Sequence, residues 1–137
     1  MTYIRVVSKD AAINPIARAV ARQQLKRYLL DAKIALYLMT PTDEYQERLD
    51  GIVSTLEPMI MAACIEIAEN FTDLGAPLRT MRAGRDVCVE LLRAGAYDPS
   101  KAPVICNALD AAEEVNPKIK PHSMQKALYE LSPKQPC

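Results

Sequence analysis

Tryptophan is absent, phenylalanine and histidine occur once each, and glycine occurs only four times in 137 residues. Each scarcity closes off a kind of chemistry. The four glycines, at 51, 75, 84 and 95, are isolated, so there is no Gly-rich loop to wrap a phosphate and little material for tight active-site turns. The single histidine, His122, follows Pro121 near a helix start, and no serine or cysteine is placed by sequence as its nucleophilic partner. The four cysteines, at 64, 88, 106 and 137, contain no Cys-x-x-Cys pair for a zinc site or a dithiol redox motif. Cys64, Cys88 and Cys106 lie among apolar neighbours and are expected to be small buried hydrophobes, with Cys137 exposed at the chain end. The carboxylate pairs Asp43-Glu44 and Glu113-Glu114 are adjacent in sequence; on a helix they point about 100° apart and do not share a proton. No catalytic residue, cofactor or metal is expected.

An excess of either charge is also missing. Seventeen Lys and Arg balance seventeen Asp and Glu, so the chain lacks the overall field of a nucleic-acid coat or a polybasic membrane binder. The longest uncharged run, Ile34 to Thr42, has nine residues, from which no membrane span is expected, and Arg5, Lys9 and Asp10 interrupt any secretory apolar region. The expected location is the cytoplasm.

What is present is a helical pattern with a hydrophobic content of 50%. At this length one core suffices without disulfides or structural metal. Residues 1–13 form an expected extended arm, because Tyr3, Ile4, Val6 and Val7 suit a strand but find no partner strand in the chain. Asn14-Pro15 supplies a cap and a proline at the first helical position, and the apolar pattern then runs to Met39. Thr40-Pro41-Thr42-Asp43 closes this helix and starts a second, which continues to about Phe71 and is either kinked or split at Pro58. Its stretch Pro58 to Ala68 is almost wholly apolar and should be the most buried part of the fold. Leu74-Gly75-Ala76-Pro77 marks a break, and a third helix is expected from about Leu78 to Ala94, ending at Gly95. Six of the ten prolines fall in the last 39 residues, so the remaining helices must be short, at roughly 103–115 and 122–131, with a disordered tail over 132–137. The expected fold is an all-α bundle of five to six helices in one domain spanning 1–131, with two long N-terminal helices.

The charges are unevenly spread. Residues 1–37 carry seven Lys or Arg against two acids, whereas residues 38–73 carry one against eight. Arg18, Arg22, Lys26 and Lys33 share one stripe of the first helix, which self-complementation would set against the acidic edge of the second. Arg79, Arg82, Arg85 and Arg93 gather on one side of the third helix, with Asp86 and Glu90 close by. These eight residues are the candidate basic binding surface, since the guanidinium fork suits phosphates and carboxylates. A helix-turn-helix can be drawn over 103–131 with Ser123, Gln125 and Lys126 at its reading end, although its joining segment has two prolines and no glycine.

The first helix is also apolar on two sides. Ile16, Val20, Leu30, Ile34 and Leu38 are expected to serve the chain's own bundle, which leaves Leu25, Tyr28, Leu29, Ala32 and Leu36 to line a self-association surface, in a symmetric dimer. The expected function is therefore non-enzymatic: a small regulatory, adaptor or inhibitor protein that acts by binding a protein partner, of the kind expected of a phage or mobile-element accessory factor. The alternative is a nucleic-acid-binding regulator that uses the basic helix faces.

Overall fold

The computed structural model describes residues 15–41 and 44–131, with side chains from residue 23 onward. The arm at 1–13, the Asn14 cap, Arg18, Arg22, Cys137 and the tail at 132–137 therefore lie outside the described residues or side chains. The described residues form five α-helices and no strand: α1 (Pro15–Tyr37), α2 (Tyr45–Asn70), α3 (Gly75–Ala94), α4 (Ala102–Val115) and α5 (Pro121–Leu131). The all-α class is as expected. Short 3-10 turns at Pro99–Lys101 and Asn116–Lys118 lead into and out of α4.

Helix α2 runs through Pro58 as one element rather than two. Pro58 has no N–H to give to the carbonyl of Ser54, four residues back, and this loss would normally break a helix. Here Pro58 is itself buried, and Leu56, Met59, Ile60, Ala62 and Ala63 are buried around it. Burial of a leucine, methionine or isoleucine side chain contributes about 1.5–3 kcal/mol, so the packing of Leu56, Met59 and Ile60 around the proline offsets the missing bond.

Around α2 the other helices supply Leu25, Leu29 and Ala32 from α1, Leu78, Met81 and Leu91 from α3, and Met124, Ala127 and Leu128 from α5. Helix α4 adds Ile105, Ala108, Leu109, Ala112 and Val115. Its register leaves Cys106 exposed and α2 leaves Cys64 half-exposed, so of the three internal cysteines only Cys88 is a core residue. Its burial pushes the Cys88 thiol up to about 12, which keeps it protonated and unreactive.

Helix α2 is also long and apolar enough, by length and composition alone, to cross a membrane. The nine-residue limit on uncharged runs missed this because only Glu57 and Glu66 interrupt residues 51–68. Neighbouring helices bury half of its most apolar window, which accounts for that apolarity within the fold.

The tightest pairing is α3 on α4, and it depends on Gly84. A methyl group there would overlap the Cβ of Ala108 and lie 3.2 Å from the carbonyl oxygen of Val104. A mid-helix glycine ordinarily costs about 1 kcal/mol relative to alanine, so it is kept for the close approach. Gly84→Ala should therefore lower stability by about 1–3 kcal/mol in urea unfolding despite its better helix propensity. An increase in the urea midpoint would contradict this packing.

Candidate functional site

Helix α1 lies at the edge of the bundle, against α2 and α4. Its inward row is Leu25, Leu29 and Ala32, each 2–3% exposed, with Tyr28 and Leu36 half-buried beside them. This reverses the sequence expectation, in which these five residues were to be the self-association surface. The other apolar row is the one left outside: Leu30 is 58% exposed, Ile34 48%, Tyr37 89% and Leu38 53%. Leu30 and Ile34 lie four residues apart, Tyr37 lies seven after Leu30, and Leu38, just past the end of α1, still donates its N–H to the Ile34 carbonyl at 3.0 Å, so the four form one stripe on the solvent side.

Lys33 agrees with this orientation. It lies between the two apolar rows and its ammonium bonds Asp110 at 3.0 Å and Glu113, both on α4. These two carboxylates, Glu113 first, hold Lys33 above the usual lysine range. Rotating α1 by half a turn would carry Lys33 away from both. The expected pairing of the basic stripe with α2 is thus replaced, at Lys33, by pairing with α4.

Beside the stripe, an open groove of ≈ 310 Å³ separates α1 from α2. Ala32, Ala35, Gly51 and Ile52 line it together with Asp31, Glu44, Glu47 and Arg48. It holds no histidine, cysteine or hydroxyl. Among the described residues no group of three or more His, Cys, Asp or Glu side chains is placed to hold a metal ion.

The basic candidates divide. Lys26, Arg79, Arg82 and Arg93 are exposed. Arg85 is engaged, with Nη1 3.3 Å from Glu57 Oε1 and Nε 3.0 Å from Asp86 Oδ1. Arg82 Nη2 lies 3.2 Å from Cys64 Sγ. The outline of a helix-turn-helix loses its reading face, since Ser123 is buried and Lys126 Nζ pairs with Glu69 at 2.7 Å. His122 is exposed.

Sequence reasoning missed Glu66. It is 1% exposed near the C-terminal end of α2, where Asn70 Nδ2 and Thr72 Oγ1 donate to its Oε1 at 3.0 Å. The Lys120 N–H, one residue before α5, donates to Oε2 at 3.2 Å. Ser123 Oγ lies beside the same carboxylate and favours its charge, although it makes no bond of good geometry. Desolvation pushes the acid up, but these donors outweigh it and hold Glu66 below its ordinary value near 4.5. The signal was available: Glu66 is the one charge within the apolar run Pro58 to Ala68. The next turn is strained, because Phe71 takes a left-handed backbone (φ 55°) while its ring is 88% exposed.

The Glu66 pKa sets a pH dependence. A carboxylate held lower in the folded chain adds stability that is complete above about pH 4.5 and is lost as the pH falls through the folded value. Glu66→Gln should therefore unfold at lower denaturant than the parent at pH 7, with the gap narrowing below pH 4.5. A gap that stays constant from pH 7 to pH 3 would contradict the Glu66 account.

No family model, curated protein or solved structure matches this chain.

Proposed function

We propose that this protein catalyses no reaction and works in the cytoplasm as a small regulatory, adaptor or inhibitor protein, binding another protein through the outer stripe of α1. The observation that carries this reading is the exposure of Leu30, Ile34, Tyr37 and Leu38 on a helix whose opposite side is already buried. Contiguous exposed apolar surface on a folded chain marks contact sites, whereas single exposed apolar residues do not. A tyrosine beside branched aliphatic side chains also has the composition of an interface centre.

The nucleic-acid alternative is weaker. Two of its eight candidate cations, Lys33 and Arg85, are engaged with carboxylates. The exposed arginines of α3 share their helix with the exposed acids Asp86 and Glu90, which reduces the local field.

A photo-crosslinking residue at Tyr37 should give a discrete protein adduct in lysate of the source cells, Ile34→Glu should abolish it, and the same probe at Arg93 should give none. Adducts from Arg93 alone, or duplex DNA shifted in a gel at physiological salt, would overturn this assignment.

A further inference from the structure

We infer that α5 is a releasable flap, latched on α2 by the Glu66 carboxylate, and that it leaves α2 while helices α1 to α4 stay packed. The inference does not depend on the binding face proposed for α1.

The first support is how the groups around Glu66 are divided. Asn70 and Thr72 belong to the end of α2 and the turn after it. The Lys120 N–H and the Ser123 hydroxyl belong to the start of α5. Pro121, between them, has no N–H to offer. Ser123 is buried and its Oγ makes no hydrogen bond elsewhere. Removing the carboxylate therefore leaves polar groups unpaired at the start of α5 and in the turn that follows α2. The cost falls on these two segments.

The second support is the order in which the helices brace one another. Helix α1 packs on α2 and α4, and α3 packs on α2 and α4, so the first four helices close a circuit of contacts among themselves. Helix α5 lies outside this circuit, seated on α2 with a smaller contact on α1. Of its buried residues Ser123, Met124, Ala127 and Leu128, only Met124 and Leu128 are large and apolar. A second tie, from Lys126 Nζ to Glu69 at 2.7 Å, joins two partly exposed side chains and adds little after solvent screening. Departure of α5 thus leaves the circuit intact, including the close approach at Gly84. It bares the side of α2 on which α5 rests, an apolar surface that the closed molecule keeps covered.

Hydrogen exchange of the full chain at pH 7, resolved by residue, tests this directly. In the parent, the amides of 124–131 should exchange about tenfold faster than the slowest amides of α3 and α4, through an opening that low urea accelerates little. Glu66→Leu, which keeps bulk but removes both acceptors, should speed exchange from Met124 onward by about tenfold more and change α3 and α4 by less than about threefold. Should Glu66→Leu fail to fold, Glu66→Gln, with one acceptor oxygen in place of two, should shift the same amides by about threefold and leave α3 and α4 as they were. Parent amides of 124–131 that exchange together with those of α3 and α4 would overturn the inference, as would a substitution that speeds all helices alike. A graded rate that rises only toward Leu131, with Met124 slow and indifferent to residue 66, would reduce the flap to fraying of a helix end and overturn it too.

Discussion

Helix α2 has to be covered from several directions, and the arrangement of the other helices follows from this. Leu49, Ile52, Leu56, Met59, Ala62 and Ala63 are all inaccessible to solvent or nearly so, and they occupy more of the helix circumference than one neighbour could shield. Helices α1, α3 and α5 pack directly on it, while α4 reaches it less and instead fits closely on α3 at Gly84. The same burial carries α2 past Pro58. A helix at the edge of such an arrangement needs only one apolar face, yet α1 has two.

Two polar arrangements join the helices, with different energetic weight. Glu66 is fully buried and ties the end of α2 to the backbone before α5 through charge-assisted hydrogen bonds, so deleting it would strand the Thr72 hydroxyl and the Lys120 N–H. Lys33 is about one-third exposed, and its carboxylate partners on α4 are more exposed still. Such a pair adds little stability after solvent screening, about 0–1 kcal/mol. It accompanies the rotation of α1 that buries Leu25, Leu29 and Ala32 and does not set it.

The local features were legible in the sequence and the long-range ones were not. Gly95 ends α3 in the left-handed conformation that a glycine cap provides, and α4 and α5 begin within a residue of the expected positions. The split at Pro58 was left open because backbone chemistry argues for a break while packing argues against one. The rotation of α1 was read backwards. Helical periodicity locates apolar sectors but carries no information on which sector meets a neighbour, and the contacts that reveal it join α1 to α4, with Lys33 and Glu113 80 apart in sequence. The contact from Lys120 to Glu66 spans 54 residues, which is why a lone acid in an apolar run could be noticed but not assigned. Cys106 was misplaced for a related reason: its neighbours Ile105, Ala108 and Leu109 are core, and an apolar context does not fix the angle of one residue on a helix.

The functional account therefore depends on the orientation of α1 more than on any single polar group. The outward row is what makes this helix more than a wall of the core, and it adjoins the groove carrying Asp31 and Glu47. Residue-resolved hydroxyl-radical footprinting measures that orientation directly. Leu30, Ile34, Tyr37 and Leu38 should be oxidised while Leu25 and Leu29 stay protected. Protection of Leu30 and Ile34 together with oxidation of Leu25 and Leu29 would contradict it.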